Sequence, residues 1–344
     1  MLKLGIEQEF VFADSTGRYL DADNSGYDVF RAIVDQFPAF DGDDSYLECK
    51  SLETYPKRCY VEGFEHHDAD GKRIETLPKG LEIRTLPHDS VAGMVAEFRQ
   101  SFSMVMDLAT QAGLVPLLTS RHPFKTSVGL DALIGEVERN LRTEQELALA
   151  VRAMLTHGMH VNVSLQDASA KKMQDLVEKV NYYLPALIPW SFSSPFFDGK
   201  LFRGLCSRNY VRADSRCMVD AHDNLGTCVL EFRGFDACAD ATLLEALLNL
   251  YCGFLLDTTL PGRSKQQDPE LLKHSSLVGF EDPSLRDLGL QISGASKNAL
   301  ANNGGDFELL EAMLHKNDCY AARMKQQYAQ TGDIMKSISG WYDF

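Results

Sequence analysis

The chain has neither a GxxxxGK[ST] loop nor a GxGxxG turn, so the two commonest glycine-cradled nucleotide sites are excluded. It also lacks any apolar run approaching ~18 residues. Its most apolar stretch, residues 243–256, is interrupted by Glu245 and Asn249 and reads as a buried helix, not a membrane span. The eight cysteines (Cys49, Cys59, Cys206, Cys217, Cys228, Cys238, Cys252 and Cys319) include no CxxC pair. Reduced thiols are therefore expected in place of disulfides or a zinc ribbon. The first residues show no basic-then-apolar signal and enter a strand-like run at once, which leads us to expect a cytoplasmic protein. Positive charge is scarce as well: 34 Lys and Arg stand against 49 Asp and Glu, for a net charge of −15 over 344 residues. Such a field repels nucleic-acid phosphates and anionic lipid, so neither nucleic acid nor membrane is expected as a partner. An anionic small molecule would need a place where the sign reverses.

What is present is an ordinary globular composition, 44% hydrophobic and 24% charged, which excludes a disordered chain. Strand patterns fall at residues 4–12, 81–86, 159–165 and 228–235, and helical patterns at 27–37, 89–112, 136–155, 168–184 and 240–257. The stretch 41–80 reads as strands with long loops; Asp70-Gly71 marks a turn, and His66-His67-Asp68 reads as a hairpin tip. Residues 189–217 read as irregular. Residues 261–305 are polar and interrupted by Gly and Pro, and a last helix is expected over 305–330. No linker or repeat divides the sequence, so a single α+β domain over 1–344 is the simplest expectation.

Four of the strands share one pattern, polar groups at i and i+2 among apolar neighbours. These are Glu7 and Glu9; Glu82 and Arg84; His160, Asn162 and Ser164; and Glu231 and Arg233. Residues so spaced share one strand face, about 7 Å apart. A sheet with one wet face gives the same alternation. Glu and His, however, are the residues that hold metals. If the four strands share a sheet, like charges raise one another's pKa unless cations neutralise them. Mg²⁺ is the natural cation, with Mn²⁺ the alternative because it also accepts imidazole, and four glutamates would need more than one ion. Divalent ions in such a setting bridge phosphate oxygens, which points to ATP chemistry without a P-loop. The sign reversal lies at 201–217, where Arg203, Arg208, Arg212 and Arg216 face a single Asp214, a local +3. Guanidinium groups bind phosphate or carboxylate bidentately.

These residues resemble a known superfamily. GIEQEF at 5–10 resembles the GxExEF strand of glutamine synthetases and of the second family of glutamate–cysteine ligases. GMHVNVSL at 158–165 resembles their GxHxHxS strand. SFSSPFFDGK at 191–200, with Ser207-Arg208 downstream, resembles a segment of the carboxylate–amine ligase branch, and LEFRGFDAC at 230–238 resembles the ExR strand. The matches occur in family order over about 5–240; residues 259–344 form an unassigned helical tail. The resemblance implies an antiparallel sheet of about six strands with helices on its outer face. It also implies ATP-dependent activation of an acid as an acyl phosphate, which an amine converts to an amide. Glutamate is the candidate acid. By that likeness Glu7, Glu9, Glu82, His160 and Glu231 are expected as metal ligands. Arg233 and Arg208 are expected at the reacting groups, and Asn162, Ser164, Arg203, Arg212 and Arg216 around the nucleotide. Asn162 replaces the second His of the family pattern, which removes a protonatable group. The small N-terminal domain of glutamine synthetases has no counterpart, which favours the ligase branch, and 41–80 has no obvious family equivalent.

The preferred reading is thus a carboxylate–amine ligase acting on small-molecule acid and amine, with a homodimer left open. Two alternatives stand beside it: a phosphotransferase (guanido- or carboxylate-kinase-like) on the same sheet, and a nucleotide-binding protein without turnover. Amine-dependent release of ADP separates the three.

Overall fold

The computed structural model describes residues 2–129, 134–166, 168–215, 217–224, 227–300 and 306–344. Its strands are β1 (Leu2–Ala13), β2 (Cys59–His67), β3 (Arg73–Arg84), β4 (Val115–Leu117), β5 (Met159–Leu165), β6 (Phe196–Phe197), β7 (Lys200–Leu201), β8 (Val219–Asn224) and β9 (Thr227–Phe232). The main sheet runs β2-β3-β1-β5-β9-β8, with β4 on the end of β1 and β6-β7 as a separate small hairpin. Every pairing in it is antiparallel. The expected α+β architecture with six principal strands is therefore the one found.

The helices are α1 (Tyr27–Gln36), α2 (Asp43–Tyr46), α3 (Val91–Gln111), α4 (Glu136–Leu141), α5 (Glu144–Ala153), α6 (Ala170–Leu187), α7 (Ser207–Arg212), α8 (Ala241–Leu256), α9 (Pro269–Val278), α10 (Pro283–Ala299), α11 (Phe307–Lys316), α12 (Tyr320–Thr331) and α13 (Ile334–Ile338). Apolar alternation decides which sheet face they cover. Ile6 and Phe10, with Val161, Val163, Leu230 and Phe232, point to the back of the sheet and are buried with residues of α3, α6 and α8 in one cluster. Each such side chain contributes roughly 1.5–3 kcal/mol of burial. Gln8 is buried on that same side. Its amide donates to the Cys238 carbonyl at 2.9 Å and accepts from the Cys238 N–H at 3.0 Å, which satisfies both of its ends. Helix α8 is buried over most of its circumference. Among the described residues no helix is long and apolar enough to cross a membrane, and all eight cysteines are free.

Several elements differ from the sequence reading. The helix expected over 136–155 is two, because Thr143 forms a capping box with Glu146 and starts α5 afresh. The polar stretch after residue 261 holds α9 and α10; Pro269 and Pro283 are the first residues of these helices, behind the caps Asp268 and Asp282. A first-turn proline starts a helix, since its missing N–H is not needed there. The final helix divides at Asn317, which takes a left-handed conformation. The tail therefore holds α9 to α13.

The stretch 41–80 carries β2 and most of β3, turning at Asp68, whose carboxylate accepts from the N–H groups of Asp70 and Lys72 at 3.0 and 2.9 Å. The pairing slips once near its base: Glu62 faces Gly80 while Gly63 faces Pro78, so Lys79 is the extra residue of a bulge. Gly80 closes this bulge with φ +157°, and a Cβ there would lie 2.0 Å from the Phe10 carbonyl oxygen. We expect Gly80→Ala to cost ~3 kcal/mol or more, because backbone must move to admit one methyl. A thermal melt checks this, with the midpoint expected to fall by roughly 4 °C or more.

Candidate functional site

The other face of the sheet floors a cavity of about 910 Å³. Its roof is built by residues 44–50 and by α5 with the segment after it. A second apolar cluster of Phe64, Ile134, Leu147 and Met154, with Leu77 packed against it, anchors that roof on the β2-β3 hairpin.

Strand pairing brings the expected ligands together. Glu7 sits opposite His160, Asn162 opposite Glu231, and Glu9 opposite Glu82. Glu7, His160 and Glu231 form an outer trio whose ligand atoms lie within 4.8 Å of one another. His160 Nδ1 is 3.6 Å from a Glu7 oxygen and 3.3 Å from a Glu231 oxygen. Burial would raise the Glu7 carboxyl, but the facing His160 outweighs it and holds the group below the ordinary carboxylate range. Two carboxylates and one imidazole at this spacing fit a hard divalent ion. Asn162 and Ser164 line the cavity beside them.

An inner trio, Glu9, Glu62 and Glu82, has the same spacing but different chemistry. The Lys79 ammonium contacts Glu9 and lies 3.6 Å from Glu62. Burial opposes ionisation of Glu9, yet Lys79 first, and His160 and His157 behind it, hold that carboxyl at about 2. The Tyr60 hydroxyl donates to Glu82 at 2.6 Å. Burial, then the charges of Glu62, Glu7 and Glu9, push Glu82 well above the usual range. Burial raises Glu62 to about 7, with Lys79 opposing and Glu9 adding to the rise. Glu62, Tyr60 and Lys79 are site residues that the sequence reading missed, as are Asp220 and His222 on β8, which form a further ligand trio with Glu231. A signal for most of them was available. Tyr60/Glu62 and Asp220/His222 repeat the i, i+2 pattern, so five of the six principal strands carry a polar pair on this face and the sixth, β9, carries Glu231 with Arg233 just past its end.

The arginines divide in a way composition did not show. Arg233 joins Glu231 and lies 3.0 Å from Asp220. Arg208 lines the cavity but is itself buried. Its guanidinium donates to the carbonyls of Arg233 at 3.0 Å and Phe235 at 3.1 Å and pairs with Asp236 at 3.4 Å. It passes so close to Gly158 that a Cβ there would meet its Nη2 at 2.1 Å. Asp236 also accepts from the Ser193 N–H and the Ser194 hydroxyl, at 2.9 and 3.1 Å. The SFSS, CSRN and RGFD segments thus converge on one buried polar hub beneath the site. Arg212 lines the cavity, donating to the Arg233 carbonyl at 3.4 Å. Arg203 does not line it; the side chain is exposed and donates to the Tyr210 hydroxyl at 2.6 Å. Arg216 lies outside the described residues.

Two consequences can be measured. Arg208→Ala leaves Asp236 without its buried cation and should cost about 3–5 kcal/mol of stability, visible in chemical denaturation. The Glu62 carboxyl, raised from 4.5 to about 7, makes a contribution to stability that is fully present below pH ~4.5 and is lost as pH rises through ~7. Glu62→Gln should therefore match the metal-free wild type near pH 5 and exceed it by about 1–2 kcal/mol near pH 8. Denaturant melts at the two pH values decide this, and an equal difference at both would refute the assignment.

Comparison with known proteins extends this geometry. Residues 3–210 match the family model described as glutamate-cysteine ligase family 2. A protein named "Putative glutamate--cysteine ligase 2" from Ruegeria pomeroyi is 30% identical over 126 residues, which is 37% of this chain and 32% of that protein. One of the same name from Rhodospirillum rubrum is 26% identical over 197 residues, 57% of this chain and 42% of that one. The chain thus spans less than half the length of either relative. Among solved structures, the complex of the prokaryotic ubiquitin-like protein Pup with its ligase PafA contains a chain that superposes with a TM-score of 0.55 at 13% identity, over 99% of this chain and 73% of that one. A bifunctional glutathione synthetase from Pasteurella multocida superposes with a TM-score of 0.59 at 12% identity, over 98% of this chain and 51% of that one. Those two likenesses concern the fold. With more than half of its length matched by the family model, the chain belongs to glutamate-cysteine ligase family 2.

Proposed function

We propose that this chain is an ATP-dependent carboxylate–amine ligase that forms an amide through an acyl phosphate, with glutamate as the candidate acid. The observation that carries the reading is the outer trio Glu7–His160–Glu231 on the floor of a large roofed cavity. A divalent ion, Mg²⁺ or Mn²⁺, would be held by these three side chains and would offset the charge of ATP phosphates. Phosphoryl transfer needs positioning and charge neutralisation more than covalent help, and the surrounding residues suit that task. Arg233 is fixed by Glu231 and Asp220, so its guanidinium is oriented before any substrate arrives. Arg212 is one of several guanidinium groups lining the cavity and is the one assigned to phosphate. Asn162 and Ser164 offer uncharged hydrogen-bonding groups along the same strand. Arg208 acts as a positioning residue in this scheme, holding the backbone of 233–236 in place.

The test is a panel of amino acids and amines assayed for ADP release with ATP and Mg²⁺. A ligase releases ADP only when acid and amine are both present, and traps hydroxylamine as a hydroxamate. Release with an acid or guanidine alone would indicate a phosphotransferase; ATP binding without release would indicate a regulatory protein. Glu7→Gln and Glu231→Gln should each lower metal-dependent release at least ~100-fold with the fold retained by circular dichroism. Normal turnover in both variants would overturn the metal assignment.

A further inference from the structure

The two acidic trios have matching ligand spacing, and only the inner one has a cation set between its carboxylates, the Lys79 ammonium; the outer one meets Arg233 only at the edge, through Glu231. The bulge in β3 sets Lys79 beside Gly80 as the unpaired residue of the strand. In a bulge the strand's alternation is broken and a side chain is re-aimed. Here the re-aimed side chain enters the inner trio. An ammonium has three protons, and each finds an acceptor: Glu9, the Ala153 carbonyl at 2.9 Å and the Thr156 carbonyl at 3.1 Å. The remaining oxygen of Glu9 accepts from the Gly158 N–H at 2.6 Å. Glu82 is bound by the Tyr60 hydroxyl. Glu62 stands 3.6 Å from the same ammonium. Lys79 and Glu9 are buried, a setting where charges survive only when paired. The inner carboxylates are thus already arranged around a positive centre, and a divalent ion would have to displace it. In the outer trio the Arg233 guanidinium takes only the far oxygen of Glu231; the other Glu231 oxygen and Glu7 face His160, which supplies a donor atom and leaves room for an ion between them.

We infer that Lys79 is a built-in cation that fills the inner trio Glu9–Glu62–Glu82, so that this chain holds divalent ions at the outer trio and none at the inner one. This departs from the expectation, drawn from the count of glutamates, that several ions neutralise them. It rests on the ligase reading only for its catalytic meaning. The ammonium provides a fixed charge that needs no metal. It also ties the β2-β3 hairpin to the end of α5, so one residue neutralises the floor and pins the roof.

The experiment counts Mn²⁺ bound per chain by electron paramagnetic resonance titration, on wild type and variants checked by circular dichroism. Glu62→Gln in the otherwise native chain should leave the count unchanged, while Glu7→Gln should lower it. Lys79→Ala should bind about one more Mn²⁺ per chain than wild type, and the added ion should disappear again in Lys79→Ala/Glu62→Gln. A count that falls in Glu62→Gln alone, or one that does not rise in a folded Lys79→Ala, overturns the inference. Should Lys79→Ala not fold, Lys79→Gln, which keeps a donor without the charge, replaces it, and Glu62→Gln still decides by itself. Ion counts require no turnover. A chain that releases no ADP with any substrate would defeat the ligase reading while leaving this result standing.

Discussion

Five carboxylates on one face of a partly buried sheet are the condition to which the rest of the molecule answers. Glu7, Glu9, Glu62, Glu82 and Glu231 come from four of five consecutive strands of the sheet, β2, β3, β1 and β9, with β5 between the last two. Like charges at such spacing cannot all ionise without compensation. The chain supplies three kinds of answer. His160 and Arg233 stand among the outer groups, Lys79 among the inner ones, and Tyr60 gives a neutral donor to Glu82, the carboxyl that burial pushes up. The net charge of −15 thus overstates the negative field inside the cavity, where the carboxylates already have close partners.

Holding these groups in register demands a stiff support, and the back of the sheet provides it. Ile6 and Phe10 pack into the helix-covered core, and Gln8 clamps the same strand to the backbone of Cys238. Beneath the cavity, Arg208 and Asp236 form the second support. Their value is geometric. A buried ion pair adds little stability over apolar packing, yet breaking one half is costly, so the hub fixes one arrangement of the 193–209 and 233–236 segments.

The parts that were legible in the sequence were those governed by period-two alternation. The doublets at Glu7/Glu9, His160/Asn162 and Glu231/Arg233 identified strands and face together, because residues two apart on a strand must share a side. The same rule applied to Tyr60/Glu62 and Asp220/His222, but the first pair lay in the stretch 41–80, read only as strands with long loops, and the second lay between the assigned segments, so neither doublet was singled out. Helices α9 and α10 were hidden by prolines that read as breaks and serve as starts. The arginine segment showed a different limit. Composition gives charge but not partners, and Arg208 and Arg203 look alike in sequence while one is buried in a web of carbonyls and the other lies outside the cavity.

The bulge at Lys79 also governs how β3 distributes its apolar side chains between layers. On its C-terminal side, Leu81 and Ile83 belong to the main core behind the sheet; on its N-terminal side, Leu77 packs with Phe64 under the roof. All three are odd-numbered, so a reader of the pattern sees one continuous oily stripe, 77-79-81-83, marred by a lysine. The stripe is in truth two half-stripes on opposite sides of the sheet, and the lysine marks the crossing. One extra residue lets a single strand face the core with one half and the lid with the other, and the charge that looked misplaced turns into the cavity, on the side its N-terminal half already faces.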